Sequence, residues 1–309
     1  MNKSDNIKTN STLGSGTRKG KKSFMTNSTK NKLQDSAFKY FSIFNTFLGI
    51  ILLAVFVTII VKTGIERLDW QFLSSLPSRF PEKAGIYTAI MGTLWILVLT
   101  MIFSVILGVS AGIYLEEYAR KGLFSKILEI NISNLVGVPS VIYGILGLAF
   151  LNRYLGLGGS LLAGSLTLSL LIIPVIIVTT RESLKAVPKT IKEGAYALGA
   201  TKWQTVRRQL LPAASGSIVT GVILALARAI GEAAPLIVVG ALVYVPFVPH
   251  TPMDDYTVLP IQIFNWTSRP QPEFQINASA GIIVLLFITF LFNGISIWLR
   301  NRWQKKVKW

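Results

Sequence analysis

Two ionisable residues, Arg228 and Glu232, stand four apart in the segment ALARAIGEAAPL, and no other Lys, Arg, Asp or Glu occurs between residues 209 and 253. On a continuous helix that spacing puts both side chains on one face, within reach of each other. For a span from Ala214 to about Leu236 the midpoint falls near Ala225, so Arg228 lies ~5 Å beyond it at the helical rise per residue. A charge at that depth costs roughly 2.5–3.5 kcal/mol even on a lenient insertion scale, which places it against a bundle interior or a water-filled path. Arginine brings a permanent positive charge and a planar fork of donors suited to attracting an anion, and Glu232 could hold the guanidinium when no anion is present. The competing reading is a permanent buried ion pair that only fixes helix packing.

Other chemistry is scarce. The chain has no Cys and one His, His250, so a Cys nucleophile is excluded and a Cys/His metal site nearly so. Glu116 and Glu117 are adjacent, and neighbouring residues on a helix point in different directions, so they read as the inner end of a span and not as paired catalytic carboxylates. The stretch GSGTRKGKKS (14–23) imitates a phosphate-binding loop, but no Gly stands five positions before Gly20, and Lys22 follows Lys21 where Ser or Thr is required. A membrane-embedded enzyme would need a fuller constellation of acid, base and nucleophile. A scaffold would have no use for the costly charge pair.

The elements that must position Arg228 and Glu232 follow from composition. Hydrophobic residues make up 51% of the 309 and charged residues 15%, with mean hydropathy +0.54, too apolar for a water-soluble domain of this length. Charge-free runs at 40–61, 84–115, 130–152, 154–180 and 274–299 each exceed the ~20 residues that cross a bilayer. The run 209–253 supplies a sixth crossing, followed by an outer segment holding Pro246, Pro249 and Pro252. With both termini inside, segments 1–39, 116–129, 181–208 and 300–309 carry 24 of the 31 Lys and Arg residues, the asymmetry expected of cytoplasmic segments. The net charge of +17 is thus mainly positive-inside bias, and nucleic acid is not implied. Residues 1–37 are polar, basic and too poor in apolar side chains to bury a core, so a disordered cytoplasmic tail is expected before a membrane domain of 38–309. Gly108 and Gly112 form a small-residue ridge in the second span, Pro139 and Pro174 are candidate kinks, and Tyr114 and Trp298 suit the interface.

One polar insert interrupts the apolar pattern: EGAYALGATKWQTVRRQLLP, Glu193 to Pro212. Pro188 suits a helix start, Ile191, Ala195 and Leu198 recur at helical spacing, and Gly199 can turn left-handed to end the helix. Thr201 and Gln204 then form a capping box for a second helix, with Trp203, Val206 and Leu210 on one face and Pro212 marking a bend into the next span. The expected product is a helix–turn–helix on the membrane surface.

In Glu193, Gly194, Ala195, Gly199, Leu211 and Pro212 this insert resembles the EAA loop of bacterial ABC-importer permeases. Gly194 replaces the first Ala of the usual pattern, and Gln209 stands where Ile is commoner. Together with AGIYLEEYA (111–119), GVPSVIYGI (137–145), IPVIIVTTRESLKAVP (173–188) and TGVILALARAIGEAAPL (220–236), it makes nearly everything after Lys39 similar to the A-type permease subunits of phosphate ABC importers, the PstA family. That resemblance implies an all-α polytopic protein with six transmembrane helices and the type I importer permease fold, its core at about 84–300 and its coupling loop at 188–212. It implies inward passage of inorganic phosphate by alternating access, with Arg228 and Glu232 in the substrate pathway and the loop docking into a groove of the ATPase. The chain itself would hold no cofactor, ATP and Mg being bound by the ATPase. Implied partners are a second permease subunit (PstC-like), two ATPase subunits (PstB-like) and an extracytoplasmic phosphate-binding protein (PstS-like) at a bacterial plasma membrane. Another oxyanion, such as phosphonate, sulfate or molybdate, would be served by the same charges.

Overall fold

A computed structural model of the chain describes residues 17–120, 122–242 and 244–304. It divides into two compact units, 1–59 and 60–309. The first is carried by helix α1 (Thr17–Gly64), whose apolar stretch leaves Phe41, Phe44, Phe47 and Leu52 exposed, as side chains facing lipid would be. Residues 1–16 of the expected tail lie outside the described residues, whereas from Thr17 the backbone is already helical. Disorder is expected there for want of a core, but a helix that continues from a span needs none. No Gly or Pro lies between Gly20 and Gly49, and each residue added to an existing helix propagates it without a new nucleation.

The second unit contains α2 (Tyr87–Ile113), prolonged by a π turn at Tyr114–Tyr118, then α3 (Leu123–Leu135), α4 (Ser140–Leu146) with a π stretch at Gly147–Tyr154, and α5 (Leu161–Lys185). After it come α6 (Lys189–Ala197), α7 (Lys202–Thr205), a π turn at Val206–Leu210, α8 (Leu211–Ile230), α9 (Ala234–Val239), α10 (Leu259–Thr267) and α11 (Glu273–Gln304). Among the described residues, five stretches are long and apolar enough to cross a membrane: Gln34–Arg67, Tyr87–Tyr118, Leu161–Lys185, Lys202–Ile230 and Glu273–Arg302.

A sixth crossing exists only if α3 and α4 with its π stretch are taken as one, and these are bent by 107°. The expected span 130–152, with Pro139 as its candidate kink, is therefore a broken one. The chain leaves α3 through turns in which Gly137 N donates to Asn134 O and Val138 N to Leu135 O, and Pro139 caps α4. Pro174, by contrast, lies inside α5 without ending it: one missing backbone bond is tolerated in a helix packed on its neighbours.

The centre of this unit is the contact of α2 with α5 and of α5 with α8, where Ile96, Leu97, Leu168, Ile172, Ile176 and Leu226 are buried together. Small residues bring α2 and α5 close. A Cβ on Gly108 would lie 2.7 Å from Ile176 Cγ2, and one on Gly112 2.7 Å from Thr180 Cβ. Hydroxyls fill the seam above: Thr100 Oγ1 donates to Ser165 O at 3.3 Å, and Ser169 Oγ to Ser165 O at 2.7 Å. A second core joins the loop before α2 to α10 and α11 through Phe72, Ile86, Leu259, Trp266 and Phe274. In the loop after α9, Asp254 accepts from the backbone of His250 and Thr251 and from the Thr251 hydroxyl, which lowers its carboxyl to about 2. The carbonyls of Asp254 and Pro252 in turn accept from Leu161 N and Leu162 N, so this loop caps α5.

The ridge predicts a sharp contrast. Gly112→Leu should destabilise the purified protein by about 1–3 kcal/mol, the usual cost of overpacking, whereas Gly294→Leu, with open space at its Cβ, should not. The thermal midpoint of detergent-solubilised protein, followed by gel filtration after heating, checks both.

Candidate functional site: two charges at a helix break and an exposed loop

Sequence and structure part at the charge pair. Helix α8 ends at Ile230, and Glu232 lies in the short break before α9. The break has a local cause: Pro235, second residue of α9, lacks an N–H and its ring would clash with the carbonyl of Gly231 were the helix continuous. Arg228 thus occupies the last turn of a helix, where the negative end of the helix dipole favours a cation, and not mid-span on a helix running to Leu236. It is exposed, makes no ion pair with Glu232, and is close enough to Tyr143 of α4 to interact with it electrostatically. Glu232 turns the other way. It lines a cavity of about 10 Å³ with Thr93, Ile96, Thr100, Leu168 and Leu236, room for little more than one water. The expected one-face pair is therefore two separate charges: an outward guanidinium and an inward carboxylate.

The loop follows its sequence more closely. Gly199 has φ +81° and ends the first helix, its N–H donating to Tyr196 O at 2.9 Å. The capping box is formed, with Thr201 N donating to Gln204 Oε1 at 2.8 Å and Gln204 N to Thr201 Oγ1 at 3.3 Å. Pro188 sits one position earlier than expected, as the cap of α6. Glu193, Gly194, Gly199 and Pro212 are exposed, while Ala195 and Leu211 are half-buried.

Two details of the second helix differ from expectation. Val206 and Leu210 are buried against Leu184, Ala214 and Ile218, but Trp203 is 57% exposed. Pro212 does not interrupt the chain's helical course: Lys202–Ile230 is one continuous span, with a π turn at Val206–Leu210 just ahead of the proline. The loop thus leaves Leu198 (90% exposed), Trp203, Tyr196 and Glu193 exposed.

Beneath the loop lies a charge network that sequence reasoning missed. Arg181, buried near the C-terminal end of α5, meets Glu129 of α3 at 3.1 Å and Glu116 of the first π turn at 3.5 Å. Lys185 reaches Glu129 at 3.7 Å and Glu182 at 2.9 Å. Lys192 pairs with Glu117, which is buried. Their separation in sequence, 75 residues for the last pair, leaves no periodic signal from which the pairing could be read.

This architecture has known counterparts. Residues 104–309 match the family of binding-protein-dependent transport system inner membrane components. The chain belongs to this family. It is therefore a membrane permease subunit of an ABC importer, a class that works with ATPase and substrate-binding partners. Among its relatives are a probable ABC transporter permease, YqgI, of Bacillus subtilis (31% identical, 83% of this chain and 91% of that one) and the phosphate transport system permease PstA of Mycobacterium leprae (33%, 68% and 70%). PstA of Yersinia pestis is 31% identical over 75% of this chain and 78% of its own. In fold the permease resembles the inward-facing MetNI methionine transporter, with a TM-score of 0.57 at 18% identity over 71% of this chain and 97% of the other.

The capping box gives a local prediction. Thr201→Ala should cost the start of α7 about 1 kcal/mol, seen as roughly fivefold faster amide exchange at Trp203 and Gln204, with exchange in α5 unchanged.

Proposed function

We propose that this permease subunit carries inorganic phosphate inward by alternating access. Support comes from its 31–33% identity to subunits named as phosphate permeases, joined to an exposed arginine at the end of α8 that has no carboxylate partner among the described residues. An oxyanion is the ligand that such a guanidinium serves, through charge and bidentate hydrogen bonding. Glu232, on the opposite side of the break, lines a cavity too small for a tetrahedral oxyanion, which fits a closed passage in this conformation. The complete importer would add a second permease, two ATPases that bind ATP and Mg, and an extracytoplasmic phosphate-binding protein, with both termini of this chain cytoplasmic.

In this reading the ATPases dock on Glu193, Gly194, Ala195, Gly199, Leu211 and Pro212, where the exposed Leu198 and Trp203 supply apolar surface for a protein partner. Two substitutions test the two ends. Arg228→Gln, in cells that assemble the complex normally, should reduce phosphate uptake at least tenfold, on the order of 1.4 kcal/mol of lost anion stabilisation; undiminished uptake would remove Arg228 from the pathway. Gly199→Trp, which forces a bulky side chain into a left-handed position, should abolish co-purification of the ATPase. A complex that survives intact would place docking elsewhere.

A further inference from the structure

Both arms of the exposed loop hold the same turn. Lys192 of α6 pairs with Glu117, and Lys202, the first residue of α7, lies 4.9 Å from the ring centre of Tyr118. Glu117 and Tyr118 are neighbours in the π turn Tyr114–Tyr118 that closes the inner end of α2, where Ala119 N donates to Tyr114 O at 2.8 Å. The loop is therefore fastened to α2, a helix from which it is remote in sequence, as well as to α8, into which its chain runs.

The burial pattern makes the Lys192 contact matter. Helix α6 contains no fully buried residue, and only Ile191, Lys192 and Ala195 are half-buried, so little apolar area holds it to the spans. Its polar attachment is the Lys192–Glu117 pair, in which the carboxylate is buried and the ammonium about one-third exposed. Of the other charges lining the pocket around this pair, Glu116 is engaged with Arg181 and Lys185 with Glu129 and Glu182, while Lys189 and Glu193 are exposed and make no ion pair with a described residue. Removal of Lys192 would take from the buried Glu117 carboxylate the one ammonium that meets it among the described residues, a costly change for a buried charge.

From the π turn, α2 leads directly to the cavity. Its residues Thr93, Ile96, Leu97 and Thr100 form one wall, with Glu232 in the facing wall. The approach of α2 to α5 at Gly108 and Gly112 leaves no slack in which a push on the inner end could be absorbed.

We propose that Lys192 and Glu117 are positioning residues, a latch through which movement of the ATPase-docked loop is delivered to α2 and so to the wall facing Glu232. The proposal rests on the reading of the loop as the docking site, and its test separates the two. In the complete purified importer, the readout is stimulation of ATP hydrolysis by its cognate binding protein, used as isolated with whatever oxyanion it carries. Lys192→Glu and Glu117→Lys should each reduce that stimulation about tenfold, within the usual range of coupling between sites, while the ATPase still co-purifies.

The double exchange, which restores opposite charges, should recover most of the stimulation. Should Glu117→Lys fail to assemble, Lys192→Met, at a partly exposed position, carries the first half of the test. Because the chain has no Cys, a Glu117→Cys, Lys192→Cys pair joined by a short thiol cross-linker carries the second, and should recover stimulation without any charge. Singles that keep full stimulation, or a double exchange and a cross-link that both fail to recover it, overturn the latch. Loss of the ATPase from Lys192→Met would instead make Lys192 part of docking and also overturn it. Survival of the complex in Gly199→Trp bears only on the docking site.

Discussion

The rest of this permease depends on how closely α2 can lie against α5. In a membrane, apolar side chains gain little by leaving lipid for one another, so helices associate where small residues let backbones approach and hydroxyls can bridge. Gly108 and Gly112 meet Ile176 and Thr180 across that seam, and Thr100, Ser165 and Ser169 hydrogen-bond along it. With these two helices locked, α8 packs on α5, and the break after Ile230 is held where Glu232 faces α2. The loop-bearing end of the same pair carries the network in which Arg181 ties α5 to both Glu116 and Glu129. One contact thus fixes the cavity wall at one level and the platform beneath the loop at another.

The break divides the chemistry. A continuous helix would let Arg228 and Glu232 neutralise each other, and an anion would then compete with a carboxylate for the guanidinium. Ending the helix after Ile230 removes that competition and sends each charge to its own surroundings. The cost is met locally: Glu232 N donates to Ala229 O at 3.2 Å, Pro235 needs no donor partner, and the cation at Arg228 lies where the helix dipole welcomes it.

How much of this could be read in the sequence depended on the range of the interaction that decides it. Gly199, the Thr201–Gln204 box and four of the five charge-free spans follow from a few neighbouring residues and stand as expected, whereas the run 130–152 is broken. The one-face arrangement of Arg228 and Glu232 did not survive, because the four-residue spacing presumes a helix and Pro235 forbids it; that signal was present in the sequence as Ala-Pro three residues after Glu232. Pro139 and Pro174 look alike in sequence yet break one helix and leave another whole, since packing by neighbours decides the outcome. The Lys192–Glu117 and Arg181–Glu129 pairs join elements distant in the chain, and no local pattern announces them.

The central claim is that a docked, nucleotide-driven loop on this chain powers the passage of phosphate. The most direct measurement uses proteoliposomes of the complete importer with its binding protein, ATP inside at the loop-bearing face, and labelled phosphate outside with or without excess sulfate. The account predicts accumulation of phosphate that requires ATP and is unaffected by sulfate. Accumulation of sulfate in its place, or phosphate entry that is indifferent to ATP, would contradict it.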